Sequence, residues 1–191
     1  MSTSPVQLIV GLANPGPQYQ ATRHNAGAWF IDTLIERFQG NLSPEIKFHG
    51  LAGTLKIGSD SVKLLVPMTY MNCSGQSVAA CANYYKIPVE NILVAHDELD
   101  FAPGKVKLKQ GGGHGGHNGL RNVVAQMGKD FWRLRIGIGH PGHRDQVTDY
   151  VLSQPSKADR SEILLSLSQA TDLVPILIKG EWQKAMGLLH S

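Results

Sequence analysis

The sequence predicts an α/β fold: a single three-layer α/β/α domain over residues 1–191, built around a twisted mixed β-sheet. Short apolar, β-branched runs alternate along the chain with segments whose apolar residues recur at helical spacing. This alternation is typical of helices packed on both faces of a sheet. A Gly-Ser-Asp turn at residues 58–60 joins two strand-like runs, so part of the sheet is expected to be antiparallel. No repeat or linker marks a domain boundary.

Predicted strands and helices alternate from the N-terminus onward. Residues 7–12 form an apolar run that stops at the Asn-Pro-Gly turn of residues 14–16, which predicts a buried strand. Apolar residues at helical spacing then predict a helix from about Asn25 to near Gly40. The same reasoning predicts strands at residues 51–57, 62–66, 92–95, 105–109 and 134–138, and helices at about 78–85, at 118–127 and from 157 onward. Pro175 is expected to break or kink the last helix.

Charge is distributed unevenly along the chain. Residues 104–144 contain eight basic residues and one acidic residue, a net charge of +7, so the rest of the chain carries −4 of the total +3. The two interpretations are a solvated surface and a site for a polyanion such as RNA. Cys73 and Cys81 have no metal-type spacing and are expected to be reduced thiols. No secretory segment or membrane-spanning run is apparent, so a cytoplasmic protein with no membrane partner is expected.

Polar residues follow several of the predicted strands. Asn14 follows the first strand, Asp97 follows the strand at 92–95, and a glycine tract at residues 111–116 follows the strand at 105–109. Ligands in open α/β sheets bind beyond the carboxyl ends of strands, so one crevice is expected to collect these groups. Asp97 ends a buried strand and needs a partner there. If that partner is His24, the pair would suit general-base catalysis by activated water.

Other kinds of site fit the sequence less well. The glycines of residues 11–16 have P-loop spacing, but Pro17 and Gln18 stand where the phosphate-binding Lys and its hydroxyl neighbour are required. The glycine tract contains G-x-G-x-x-G, yet no following strand ends in an acid suited to a ribose, which leaves nucleotide binding a minor alternative. No histidine group has a standard metal-ligand motif, so neither a metal nor another cofactor is expected.

Five motifs together resemble the bacterial peptidyl-tRNA hydrolase family. They are VGLANPG (residues 10–16) with TRHNAG (22–27), PMTYMN (67–72), HDELD (96–100), GGGHGGHNGL (111–120) and RLRIGIGHPG (133–142). The resemblance runs from about residue 8 to residue 152. It implies the predicted α/β/α fold and the activity of an ester hydrolase of translation.

The resemblance also assigns roles to individual residues. It implies that His24 is the catalytic base, that Asp97 holds it, and that Asn14 discriminates N-blocked from unblocked aminoacyl ends. It implies that contacts with the tRNA 3′ end and the peptidyl group come from Tyr19, Tyr70, Met71, Asn72 and Asn118. The residues implied to hold phosphates are Lys107, Lys109 and Arg135. Residues 140–152 would form a mobile cover over the crevice.

The implied reaction is hydrolysis of the ester that joins a peptide to the 3′-terminal ribose of tRNA. The implied partner is the 3′ CCA end and acceptor stem of peptidyl-tRNA, and the protein is expected to act as a monomer without an obligate protein partner. Simple helix capping remains an alternative for Asn14, Asn25, Asn72 and Asn118. A non-catalytic RNA-binding relative of the same fold remains the alternative function.

Overall fold

The computed structural model describes residues 4–190, which fold around one seven-stranded sheet. The strands are β1 (Leu8–Gly11), β2 (Ser43–Glu45), β3 (Gly50–Ile57), β4 (Asp60–Pro67), β5 (Ile92–Glu98), β6 (Val106–Gln110) and β7 (Trp132–Gly137). Their order across the sheet is β2-β3-β4-β1-β5-β7-β6. The central strands β4, β1, β5 and β7 are parallel, whereas β2, β3 and β6 pair antiparallel with their neighbours at the two edges.

Helices cover both faces of the sheet. They are α1 (Ala26–Phe38), α2 (Ser74–Tyr85), α3 (Asn118–Met127), α4 (Val147–Val151), α5 (Lys157–Thr171), α6 (Val174–Leu177) and α7 (Trp182–Leu189). Neighbouring residues of β1 point in opposite directions: Ile9 packs with α1 and the C-terminal helices, and Val10 packs with α2 and α3. Two apolar cores therefore lie on either side of the sheet, and the predicted three-layer mixed α/β fold is confirmed.

Three local features differ from the sequence prediction. The short edge strand β2 was not predicted, because its Ser-Pro-Glu sequence lacks the apolar pattern of a strand. Helix α4 lies inside the segment that was predicted only as a cover. Pro175 does not kink a long helix, because α5 has already ended at Thr171 and Pro175 lies in the first turn of α6.

Two glycines allow the start of α1 to lie directly on the sheet. A Cβ atom at Gly11 would be 2.4 Å from the carbonyl oxygen of Gly27, and one at Gly27 would be 2.3 Å from that of Ala95. Any larger residue at either position would push the helix away from β1 and β5. The close approach brings the segment before α1 against the carboxyl end of β5, which is where His24 and Asp97 meet.

Candidate active site

A crevice with a volume of about 280 Å³ opens at the carboxyl ends of β1 and β5. Its walls come from the turns before α1 and α2, the glycine tract before α3, and α4. Seven of the residues singled out in the sequence line it: Asn14, His24, Tyr70, Met71, Asn72, Asp97 and Asn118. The single crevice expected from the strand ends is therefore present, and the chemical roles of its residues stay predictions.

His24 and Asp97 form a buried hydrogen-bonded pair. Nδ1 of His24 lies 2.9 Å from Oδ2 and 3.1 Å from Oδ1 of Asp97, and the two side chains are 11% and 3% exposed. Because an ionised carboxylate can only accept, Nδ1 carries the hydrogen, and the lone pair of the neutral ring is on Nε2. Asp97 thereby fixes the tautomer that a general base requires.

His117 is a second histidine on the same carboxylate, and the sequence did not identify this role. Its Nε2 lies 2.7 Å from Oδ1 of Asp97, while its Nδ1 accepts a hydrogen bond from the backbone N–H of Leu120 and caps α3. The cap fixes the tautomer, so Nε2–H donates to Asp97. The rings of His24 and His117 are 4.8 Å apart. Asp97 therefore receives a hydrogen bond from each ring.

Burial and charge act in opposite directions on the ionisation of this cluster. Burial lowers the pKa of His24, but the charge of Asp97 and its hydrogen bond outweigh burial, so the pKa is raised above 6.5. Burial raises the pKa of Asp97, yet His24 and His117 together hold that pKa far below its ordinary value. Burial, reinforced by His117, lowers the pKa of the neighbouring His96 to about 3. Asp97 is therefore ionised and His96 neutral at any physiological pH.

Asn14 is held rigidly by a reciprocal bond with Asn25. The backbone N–H of Asn14 donates to Oδ1 of Asn25 (2.9 Å), and Nδ2 of Asn25 donates to the carbonyl oxygen of Asn14 (3.0 Å). The side-chain Oδ1 of Asn14 accepts the backbone N–H of Met71 at 2.7 Å. That bond leaves the Nδ2 of Asn14 as a donor for a crevice ligand.

Helix capping does not explain the other asparagines. Asn25 occupies the position before α1, but its amide bonds Asn14 instead of the helix. Asn72 lies in the turn before α2 and is exposed, and Cys73 takes the cap position. Asn118 is the first residue of α3, whose cap is His117. The capping alternative is therefore wrong at these three positions.

Helix α4 forms one wall of the crevice and is tied to the residue before His24. Nη1 of Arg23 donates to the carbonyl oxygen of Tyr150 at 2.9 Å and to Oγ of Ser153 at 2.5 Å. The Arg23 guanidinium also lies 3.8 Å from the centre of the Tyr150 ring, and the hydroxyl of Tyr150 donates to the Ile138 carbonyl. The predicted cover is thus anchored at its C-terminal end, and its mobility stays a prediction.

Four of the predicted substrate-binding residues lie outside the crevice: Tyr19, Lys107, Lys109 and Arg135. Tyr19 belongs to a turn beside Thr22, whose hydroxyl donates to the Tyr19 carbonyl oxygen. We call Lys107, Lys109 and Arg135 the basic strip, because they lie on the paired strands β6 and β7. A cavity of about 260 Å³ joins two members of the strip to Glu98 and His114 of the crevice.

Arg135 is not a free cation. Its Nε donates to Oε1 of Glu98 at 2.9 Å, and its guanidinium lies 4.5 Å from the ring centre of Phe101. Lys109 is exposed, and no ion pair involving it is formed within residues 4–190. The two residues were predicted to act alike, but only Lys109 offers its full charge to a ligand.

The glycine tract is held by Arg133, whose role the sequence did not reveal. The buried Arg133 donates to the carbonyl oxygens of Gly112, at 2.6 Å, and Gly113. The tract links β6 to β7 through α3, and these two strands are antiparallel neighbours. A dinucleotide-binding motif requires a parallel β-α-β unit at this point, so the glycine tract does not form that motif.

The cluster of His24, Asp97 and His117 also has the composition of a metal site. One ligand atom from each residue lies within 4.8 Å of the others. In the present arrangement, however, both ring nitrogens that face the carboxylate are used as hydrogen-bond donors to it. A metal would have to replace those two hydrogens and draw the rings together.

The chain is similar to known proteins over nearly its whole length. A sequence profile described as peptidyl-tRNA hydrolase matches residues 8–191. The chain is 55% identical to the peptidyl-tRNA hydrolase of Pseudoalteromonas translucida over 188 residues, covering 97% of each chain. It is 54% identical to that of Haemophilus influenzae over 190 residues, covering 98% of each. A crystal structure of peptidyl-tRNA hydrolase from Acinetobacter baumannii superposes with a TM-score of 0.96 at 47% identity, covering 99% of this chain and 96% of that one. The chain therefore belongs to the peptidyl-tRNA hydrolase family.

Proposed function

We propose that the protein hydrolyses the ester between the C-terminus of a peptide and the 3′-terminal ribose of N-blocked peptidyl-tRNA. The observation that carries this proposal is the buried His24–Asp97 pair on the crevice wall of a chain of this family. A pair of this kind suits water activation, because the carboxylate stabilises the imidazolium that forms when the ring takes a proton.

In this scheme Nε2 of His24 takes a proton from a water molecule that attacks the ester carbonyl. The electrons of the C–O bond leave with the ribose oxygen, which receives a proton from the imidazolium. His117 also donates a hydrogen bond to the carboxylate of Asp97. This bond holds the carboxylate in the orientation in which it faces His24. An ester needs less leaving-group assistance than an amide, so one base and a site for the oxyanion suffice.

The oxyanion of the tetrahedral intermediate needs hydrogen-bond donors in a fixed position. Nδ2 of Asn14 is such a donor, since its partner atom Oδ1 is anchored to Met71. Asn72, which is exposed and also lines the crevice, would supply a second side-chain amide. A fixed donor such as Nδ2 of Asn14 stabilises the developing charge because it does not have to reorganise during the reaction. The family resemblance also implies that Asn14 discriminates N-blocked from unblocked aminoacyl groups.

The rest of the substrate would bind along the glycine tract and the basic strip. Tyr70 is 63% exposed at the crevice rim, which suits stacking on a base of the CCA end. Asn118 also lines the crevice, whereas Tyr19 does not. Phosphates of the acceptor stem would contact the basic strip. The activity would recycle tRNA from peptidyl-tRNA released early by ribosomes, with the protein acting in the cytoplasm as a monomer.

The decisive experiment compares N-acetyl-aminoacyl-tRNA with the same aminoacyl-tRNA carrying a free amino group. We expect rapid release of the acetylated amino acid and slow release of the free one, measured by acid-precipitable label on the tRNA. Binding of both tRNAs without hydrolysis would instead indicate a non-catalytic RNA-binding protein. Equal hydrolysis of both would contradict discrimination by Asn14.

The scheme uses no metal, and this can be tested separately. Among the helices of residues 4–190, none has both the length and the apolar character of a membrane span. Activity should survive exhaustive chelation, with the tRNA kept folded by monovalent salt. A loss of activity that zinc restores would assign His24, Asp97 and His117 to a metal centre instead.

A further inference from the structure

Arg23 is a buried cation beside the proposed base, and the proposed reaction assigns it no role. It is buried like His24, yet none of the ion pairs within residues 4–190 includes it. Its Nη1 donates to the carbonyl oxygen of Tyr150 and to Oγ of Ser153, and its guanidinium stacks on the Tyr150 ring. A buried charge is costly unless it is paired or hydrogen-bonded. For Arg23 the C-terminal end of α4 supplies these bonds.

The same network closes both ends of the segment predicted as a cover. At the C-terminal end, the backbone N–H of Arg23 donates to the carbonyl oxygen of Ser153 at 3.1 Å. At the N-terminal end, the hydroxyl of Tyr150 donates to the carbonyl oxygen of Ile138 at 2.7 Å. The cover is largely exposed between these ends. Arg23 and Tyr150 therefore join the chain on either side of the cover to the segment that carries His24.

Arg23 does not line the crevice, but the two segments that it joins do. His24 lines the crevice directly after Arg23, and α4 lines it through Val147, Thr148 and Val151. The distance between a ligand that rests on α4 and Nε2 of His24 therefore depends on the contact that Arg23 makes. Catalysis by proximity requires the reacting atoms to lie about 3–3.5 Å apart, and a displacement of about 1 Å can lower the rate about 10²-fold.

We propose that Arg23 is a positioning residue that fixes the separation between α4 and His24. It acts through these two segments, because it does not itself line the crevice. A guanidinium suits this position, since its planar group can bond several acceptors and stack on an aromatic ring together. The proposal rests on the proposed function and adds to it a residue outside the cluster of His24, Asp97 and His117.

The first test separates turnover from affinity. Arg23→Ala should lower the single-turnover rate on N-acetyl-aminoacyl-tRNA roughly 10–100-fold, because the ester is no longer held at a fixed distance from Nε2 of His24. Affinity for the tRNA, measured by filter binding, should stay close to wild type because the basic strip is unchanged. Arg23→Lys keeps the charge but loses the planar group. Its rate should therefore lie between those of the wild type and Arg23→Ala.

A double-mutant cycle tests whether the contact with α4 carries the effect. Ser153→Ala removes one acceptor of Arg23 at an exposed position that does not line the crevice. Alone it should lower the rate by less than about tenfold, the scale of one hydrogen bond. In the Arg23→Ala background it should have no further effect, because the two residues then act as one unit.

The ring N–H protons of the histidine cluster supply a readout that does not depend on activity. His24 and His117 each donate a ring N–H to Asp97, so each should give a low-field proton resonance, and the one lost in His24→Ala belongs to His24. Arg23→Ala frees the segment that carries His24, so the His24 proton should exchange faster with water. The His117 proton should stay protected. It is the internal control, because a general loosening of the fold would expose both protons.

Arg37→Ala is the matched control. The Arg37 guanidinium also joins α1 to the C-terminal helices, because it donates to Oγ of Ser168 in α5 and to the carboxylate of Asp172 just after it. None of these residues lines the crevice. The variant should match the wild type in rate, affinity and proton exchange. All assays are run well below the melting temperature of each variant, and Arg23→Lys takes the place of Arg23→Ala if the latter does not fold.

The outcomes separate the two proposals. If the wild-type protein fails to hydrolyse N-acetyl-aminoacyl-tRNA, the proposed function is wrong, and proton exchange alone decides whether Arg23 holds His24. If the wild type is active and folded Arg23→Ala is equally fast, the positioning role is wrong and the function stands. The role is also overturned if Ser153→Ala slows both backgrounds equally, if the His24 and His117 protons exchange faster together, or if Arg37→Ala reproduces the effect.

Discussion

The crevice and the basic strip differ in how firmly their side chains are held. In the crevice Asp97 receives hydrogen bonds from two histidines, and Asn14 is fixed through its backbone and its side chain. In the basic strip Lys107 and Arg135 stand directly opposite each other on paired antiparallel strands, with like charges. Such a pair destabilises a sheet unless an anion or an acid relieves it. Glu98 relieves part of this repulsion at Arg135.

The difference follows from what each region has to do. Proton transfer and oxyanion stabilisation need atoms held within fractions of an ångström, which only buried and fully bonded side chains provide. Attraction of a polyanion acts over several ångströms and needs charge without fixed geometry. Substitutions in the crevice should therefore change turnover, and substitutions in the basic strip should change affinity.

Replacing the base should have the largest effect on turnover. His24→Ala removes the proton acceptor, so kcat should fall by roughly 10²–10⁴-fold, the usual contribution of a general base. Affinity for tRNA should stay close to wild type, because the basic strip is untouched. Single-turnover hydrolysis and filter binding measure the two quantities. Wild-type turnover in this variant would remove His24 from the mechanism.

Replacing the carboxylate should slow turnover and shift its pH dependence. His24 must be neutral to act as a base, so activity is lost as the pH falls through the pKa of His24. Burial lowers that pKa and Asp97 raises it above 6.5. Asp97→Asn leaves burial unopposed, so the acidic limb of the kcat profile should move to lower pH. Turnover should fall about 10²-fold, at the low end of general-base effects. An unshifted limb would show that Asp97 does not act on His24.

Removing His117 should move the acidic limb of the kcat profile to higher pH, opposite to the effect of Asp97→Asn. His117 shares the carboxylate with His24 through a 2.7 Å hydrogen bond. Without that bond the charge of Asp97 acts more strongly on His24, so the pKa of His24 should rise and the acidic limb should move to higher pH. His117→Ala should reduce kcat by about tenfold, since general-base catalysis by His24 is retained. A downward shift would contradict the shared-carboxylate arrangement.

The sequence predicted more of the framework than of its internal bonds. The sheet and the main helices were predictable, because apolar periodicity is a local signal. The pairing of His24 with Asp97, 73 positions apart, was implied only by the family resemblance. The hydrogen bond from Arg23 to the Tyr150 carbonyl oxygen of α4 joins residues more than 120 positions apart. The bond between Arg133 and the glycine tract depends on β7 lying next to β6. Such partners follow from strand order, which no local pattern encodes.

The distinction between exposed and paired cations was hidden for the same reason. Lys109 and Arg135 looked alike in the sequence, since both follow strand alternation in a basic segment. Only the pairing of β5 with β7 shows that Glu98 lies within hydrogen-bonding distance of Arg135.

Substitutions in the basic strip should weaken binding and leave chemistry intact. Lys109→Ala removes an exposed charge, so the slope of log affinity against log salt should flatten by about 0.9, the value per phosphate on a duplex. Arg135→Ala should flatten it less, because Glu98 already balances part of that charge. Turnover at saturating substrate should match wild type for both variants. Both variants should hydrolyse a mimic of the tRNA 3′ end, which lacks the acceptor stem, as efficiently as the wild-type protein does. If the mimic is affected as strongly as whole tRNA, these side chains support the crevice and do not bind phosphates, and the division between the two regions fails.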